Sequence, residues 1–143
     1  MDYPPKADYI SSDPEETMQI GEEIGSRLKP GSIVALRGKL GAGKTVFARG
    51  IARSLGVQEE LTSPTYTIIN EYETETMPFY HIDAYRLSGD DDFRLAGGEE
   101  KLYGNGVCVV EWPQRIKLPA FAVNVEIEIM EDGRRHIHYG NIQ

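Results

Sequence analysis

Apolar positions recur along this chain in two rhythms, one helical and one strand-like. Ile20, Ile24 and Leu28 stand four residues apart, the spacing of an apolar stripe on a helix. Asp13-Pro14-Glu15-Glu16 precedes them. An aspartate cap, a proline at the first helical position and early carboxylates all favour a helix start there. Pro30-Gly31 predicts its stop. Residues 32–37 (SIVALR) form a short apolar run, read as a buried strand. Val46, Phe47, Ile51 and Leu55 then predict a second helix, closed by Gly56. Residues 66–72 and 79–85 are rich in β-formers and predict an antiparallel hairpin. Residues 88–103 are polar and broken by glycine, predicting short helices anchored by Phe93, Leu95, Leu102 and Tyr103. A second apolar run, Val107 to Val110, ends in Glu111. Val123, Val125, Ile127 and Ile129 alternate with Asn124, Glu126 and Glu128, the pattern of a half-buried strand. Glu131-Asp132-Gly133 turns that strand back into residues 135–139. The order predicts a three-layer α/β domain with a mixed sheet and antiparallel hairpins.

Composition narrows the function. With 143 residues, the chain is expected to form one domain spanning 1–143. Fifteen Lys and Arg against 23 Asp and Glu give a net charge of −8. Such a balance argues against a surface that grips nucleic acid directly, because phosphate neutralisation needs clustered cations. The lone Cys108 excludes an intramolecular disulfide and fits a reducing compartment. Residues 1–6 hold no apolar run, and no stretch approaches the roughly 20 apolar residues of a membrane span. A cytoplasmic protein without membrane contact is the expectation.

Gly38-Lys39-Leu40-Gly41-Ala42-Gly43-Lys44-Thr45 matches the phosphate-loop pattern G-x-x-x-x-G-K-[ST] in full. A buried strand before it and a helix after it supply the required context, so the fold expected is of the P-loop NTPase type. Gly38, Gly41 and Gly43 permit turns and close approach that a Cβ would obstruct. The loop amides, Ala42 included, and the helix N-terminus then direct partial positive charge at an anion. Lys44 is expected to reach the β- and γ-phosphates of ATP, and the Thr45 hydroxyl to ligate Mg²⁺. A ligand-free glycine turn would explain the glycines but not Lys-Thr at their fixed offset.

Catalysis also needs a carboxylate near the metal, and two compete. Glu111 ends Val107 to Val110; Asp83 ends the run Phe79-Tyr80-His81-Ile82. At the carboxyl end of a strand beside the P-loop strand, either could hold Mg²⁺ or orient the attacking water. The bland alternative for each is a solvated acid or a local salt bridge, for instance with Arg86. His81 reads as a hydrogen-bonded structural residue, and Cys108 as a buried, inert thiol. Paired Cys/His spacing and a G-x-S-x-G elbow are both missing, which removes the anchors for a zinc site and for acyl transfer. Ser63 and Thr65, around Pro64, lie where a P-loop protein would sense the γ-phosphate through hydroxyls; an ordinary Ser-Pro turn explains them equally well.

Taken in order, Gly38 to Thr45, Ser63-Pro64-Thr65-Tyr66, His81-Ile82-Asp83-Ala84-Tyr85-Arg86 and Glu111-Trp112-Pro113 resemble the TsaE family. That family is the P-loop ATPase component of tRNA threonylcarbamoyladenosine biosynthesis. The resemblance implies binding of ATP and Mg²⁺, slow hydrolysis by the chain alone, and the partner proteins TsaD and TsaB, with tRNA reached indirectly through the complex. It also implies that Lys44 contacts phosphate, that Thr45 and Glu111 serve the metal, and that Asp83 activates water. By the same resemblance Ser63–Thr65 is the nucleotide-responsive loop and Thr17 approaches the adenine end. Three features depart from the family pattern: Lys39 where an acid is usual, Val46 in place of a common second threonine, and a glycine-rich segment over 88–106. A small-molecule kinase and a nucleotide-dependent binding module are the rival readings. The mostly acidic Asp90-Asp91-Asp92-Phe93-Arg94 is a poor phosphate-closing lid, which counts against the kinase.

Overall fold

The computed structural model describes residues 7–61 and 68–140. Seven strands, β1 (Ala7–Ser11), β2 (Ile33–Gly38), β3 (Ile69–Tyr72), β4 (Phe79–Asp83), β5 (Val107–Glu111), β6 (Val123–Ile129) and β7 (Arg135–Gly140), form one sheet ordered β1-β7-β6-β2-β5-β4-β3. Pairings β2–β5, β2–β6 and β4–β5 are parallel, while β1–β7, β6–β7 and β3–β4 are antiparallel. The sheet is therefore mixed, as its sequence pattern predicts.

Period-two burial divides the strands between two cores. Val34, Leu36, Val107, Val109, Val123, Val125 and Ile127 face α1 (Pro14–Gly25) and α2 (Lys44–Ser54). Ile33, Cys108 and Val110 face the opposite layer, built on α3 (Asp90–Leu95) and α4 (Gly98–Leu102). Three layers result. Burial pushes the Cys108 thiol up to about 12, in keeping with an inert core sulfur.

The α1 start follows its sequence signals. Asp13 Oδ1 accepts the Glu16 N–H at 2.8 Å, and the Glu16 carboxylate accepts the Ser12 N–H at 3.0 Å. Its end does not: the helix closes at Gly25, before Pro30, and Leu28 packs on the core from the turn beyond. α1 lies closely against α2. A Cβ on Gly21 would stand 2.4 Å from the Phe47 carbonyl, and one on Gly50 would stand 2.1 Å from the Met18 carbonyl. Bare glycines let the two backbones touch, and that contact fixes where the phosphate loop sits relative to α1.

Other expectations need correction. Phe93 and Leu102 are buried as anchors, but Leu95 is 86% exposed and Tyr103 63% exposed. Both short helices are too brief to turn every apolar side chain inward. Ile129, the last residue of β6, is also exposed. Among the described residues β3 begins at Ile69, positions 66 and 67 of the expected strand lying outside them, and β4 ends at Asp83, two residues before its expected end. The unforeseen strand is β1. It presents Ala7 and Tyr9 to the core, and Tyr9 stacks on Tyr139 at 5.8 Å.

Candidate active site

The carboxyl ends of the parallel strands gather the chemistry. β2 runs directly into the loop Gly38–Thr45 and then α2. Gly41 (φ +82°) and Gly43 (φ +107°) take left-handed conformations that favour glycine. Gly38 does different work: it lies on β2, where a Cβ would meet the Ile127 carbonyl at 3.0 Å and Lys44 Cγ at 3.4 Å. Gly43 is the N-cap of α2 and gives it no side-chain cap. The N-terminus of a helix directs partial positive charge outward and favours an anion.

Lys44 leads α2 and is 7% exposed. Its Nζ lies 3.8 Å from Glu111 Oε1 and 4.5 Å from the centre of the Trp112 ring. Glu111 reaches this point because β5 pairs in parallel with β2, with Leu36 and Glu111 in register. Its second oxygen, Oε2, sits 2.6 Å from Nε2 of the fully buried His81. A carboxylate accepts, so Nε2 donates, and Nδ1 is buried without a hydrogen-bond partner among the described residues. The expected structural histidine is therefore tied to a candidate metal ligand.

Asp83 occupies another place. β4 pairs with β5 rather than β2, and Asp83 is in register with Glu111. One strand separates it from the P-loop strand, so of the two competing acids Glu111 is the one that ends a strand beside β2. Its Oδ1 accepts the Tyr85 N–H at 3.0 Å. Thr17 is 2% exposed, and its hydroxyl lies 2.6 Å from Ser11 Oγ. Its methyl carbon is 3.8 Å from where a Cβ on Gly43 would be, so Thr17 packs on the loop rather than presenting its oxygen to it. A cavity of about 250 Å³ beside the loop is lined by Asp13, Thr17, Gly41, Ala42, Gly43 and Arg135, among others. Ser63 and Thr65 lie outside the described residues.

Several neighbours escaped the sequence reading. Trp112, at φ +57°, holds the left-handed conformation uncommon for a large side chain, and packs 4.9 Å from Tyr85. Its place in Glu111-Trp112-Pro113 was visible; its position against Lys44 was not. Arg135 reaches the loop from β7, and no sequence signal marked it.

A family model described as "Threonylcarbamoyl adenosine biosynthesis protein TsaE" matches residues 11–137. The chain belongs to the TsaE family. A TsaE-family relative from Treponema pallidum, named tRNA threonylcarbamoyladenosine biosynthesis protein TsaE, is 42% identical over 130 residues, 90% of this chain and 96% of its own. A family member of the same name from Bacillus subtilis is 41% identical over 128 residues, 88% of this chain and 80% of its own. The crystal structure of Bacillus subtilis YdiB superposes with a TM-score of 0.75 at 34% identity, covering 94% of this chain and 84% of that one. The family assignment and the P-loop fold thus rest on sequence and shape together. No helix among the described residues is long and apolar enough to cross a membrane.

Proposed function

We propose that this chain binds ATP with Mg²⁺ on Gly38–Thr45 and hydrolyses it slowly, serving tRNA threonylcarbamoyladenosine biosynthesis by acting on the TsaB–TsaD complex. The observation that carries the reading is the 3.8 Å approach of Lys44 to Glu111 at the mouth of the loop. A phosphate-binding cation and a metal-binding carboxylate have to meet there for phosphoryl transfer.

The residues suit the groups they would hold. Left-handed glycines at 41 and 43 open the loop, and the uncapped start of α2 offers N–H donors to phosphate. Among the described residues no group of three or more His, Cys, Asp or Glu is placed to hold a metal. Mg²⁺ takes one or two carboxylates and fills its remaining positions with phosphate and water oxygens, so a single carboxylate beside the loop suits it. Thr45 and Glu111 would hold the ion, which when bound neutralises charge developing on the phosphate oxygens. Lys44 binds phosphate, and His81 orients Glu111 through Oε2. Asp83, one strand further out, is the candidate for orienting the attacking water.

Slow turnover by the chain alone would be explained by a second cation that a partner brings to the phosphates, in the manner of an arginine finger. The net charge of −8 suits a protein that reaches tRNA through partners. The deciding experiment measures phosphate release with and without TsaB, TsaD and tRNA. Stimulation by the complex is expected, and an unchanged rate overturns the assembly reading. Asp83→Asn and Glu111→Gln proteins that bind nucleotide yet sustain full multiple-turnover modification would make the chain a binding module instead.

A further inference from the structure

The phosphate loop is tethered from outside by a residue that the motif does not contain. Arg135 opens β7, in register with Ile129 of β6 on one side and Ser11 of β1 on the other. Its Nε donates to the Ala42 carbonyl at 3.0 Å, and its Nη2 to the Gly41 carbonyl at 3.2 Å. Nη1 donates to the Gly133 carbonyl of its own hairpin turn, which holds the guanidinium plane in place. One planar fork thus bridges the β6–β7 hairpin and two consecutive peptide units of the loop.

The loop needs such a tether. Gly41 and Gly43 both have positive φ, and nothing lies within 4 Å of where a Cβ on Gly41 would be. Leu40, at the apex, is 93% exposed. Ala42 is buried in the core, but the glycines on either side of it lose more conformational freedom on ordering than any other residue, so the peptides they flank can sample several orientations unless held. Only some present N–H groups to an anion. In a trans peptide the carbonyl and the N–H point to opposite sides, so holding the Ala42 carbonyl also aims the Gly43 N–H. The preceding peptide is held at both ends: its Gly41 carbonyl bonds Arg135, and its Ala42 N–H donates to the Lys39 carbonyl at 3.0 Å.

We infer that Arg135 is a positioning residue for nucleotide binding, a carbonyl clamp that pre-aims the Gly43 N–H and the adjoining α2 N-terminus at the phosphates. The inference rests on the nucleotide reading proposed above. The clamp acts on the loop rather than on the reacting phosphate. It therefore affects ground-state and transition-state binding alike, and ATP and ADP alike. The β6–β7 turn, remote in sequence from the motif, becomes part of the nucleotide site.

The test titrates the full chain with MgATP and MgADP by calorimetry, at low and high salt, for wild type, Arg135→Ala and Arg135→Lys. The clamp predicts about tenfold weaker binding of both nucleotides by Arg135→Ala, the effect of losing hydrogen bonds made by a charged donor. kcat at saturating MgATP should stay within about twofold of wild type, since uniform binding is what is lost. Arg135→Lys keeps the charge without the fork, and should remain several-fold weaker at both salt concentrations. Wild-type affinity in Arg135→Ala overturns the clamp. So does full recovery in Arg135→Lys, or a deficit that high salt abolishes, since either result means long-range attraction. A lowered kcat with unchanged KM also overturns it. If Arg135→Ala does not fold, a folded Arg135→Lys decides the matter. If wild type itself gives no heat with MgATP, the nucleotide reading fails instead.

Discussion

The ammonium of Lys44 stands 3.8 Å from Oε1 of Glu111, and both side chains are less than one-tenth exposed. Removing one member of a buried pair leaves an uncompensated charge, whereas removing both does not. Lys44→Met is expected to abolish measurable MgATP binding and to destabilise the fold by up to about 3 kcal/mol. Lys44→Met with Glu111→Gln should regain most of that stability without regaining binding. Chemical denaturation and calorimetry on the same samples check both halves. If the single variant is as stable as the double, the two side chains do not interact in solution.

Glu111 depends on His81 for its other oxygen, at 2.6 Å. His81→Phe keeps the ring volume but takes away the donor, which should cost about 1–3 kcal/mol of stability and lower the apparent Mg²⁺ affinity. His81→Gln, which can offer an N–H in the same region, should recover part of both. The measurements are melting curves and Mg²⁺ dependence of nucleotide binding. Recovery of stability by Gln without recovery of the Mg²⁺ response would reduce His81 to a packing role.

Helix propensity and packing make opposite forecasts for Gly50. Alanine is favoured over glycine inside a helix by about 1 kcal/mol. At this site, though, the added Cβ would lie 2.1 Å from the Met18 carbonyl, and backbone cannot yield as a side-chain tip can. Overpacking costs about 1–3 kcal/mol, sometimes more, so Gly50→Ala should be destabilised overall. Because α1 carries Thr17 against the loop, its nucleotide affinity should fall too. A variant more stable than wild type would refute the close helix contact.

Burial raises the Cys108 pKa from 9.0 to about 12, so the folded chain keeps a proton that the unfolded chain releases between those values. Stability contributed by this group is intact below pH 9 and declines as pH rises toward 12, with a limiting slope of about 1.4 kcal/mol per pH unit. Cys108→Ala removes this one component, so the stability difference between wild type and variant should narrow or reverse at alkaline pH. At pH 8 an alkylating reagent should modify native Cys108 far more slowly than the denatured chain. Fast native labelling would contradict the buried position.

Two apolar neighbours on α3 offer a direct comparison of burial. Phe93 is 4% exposed, and Leu95 86% exposed. Phe93→Ala should cost about 3–5 kcal/mol, while Leu95→Ser should stay within about 0.5 kcal/mol of wild type. Urea unfolding distinguishes them. Equal losses would mean that Leu95 packs against something in the folded state.

Local chemistry determined much of this protein without its tertiary structure. The Asp13 cap, the 38–45 glycine spacing and the apolar runs ending in Asp83 and Glu111 were legible because each depends on φ, on hydrogen bonding or on periodicity within a few residues. The four motifs together pointed to TsaE. The sheet order was another matter, since strand neighbours are chosen by packing across long sequence separations. Only that order put Glu111 next to the P-loop strand and Asp83 one strand beyond. It also paired β1 with β7, brought Trp112 against Lys44, and carried Arg135 from a distant hairpin to the Gly41 and Ala42 carbonyls. Such contacts leave no periodic trace, because a side chain's reach across space is fixed by the fold and not by its neighbours in the chain.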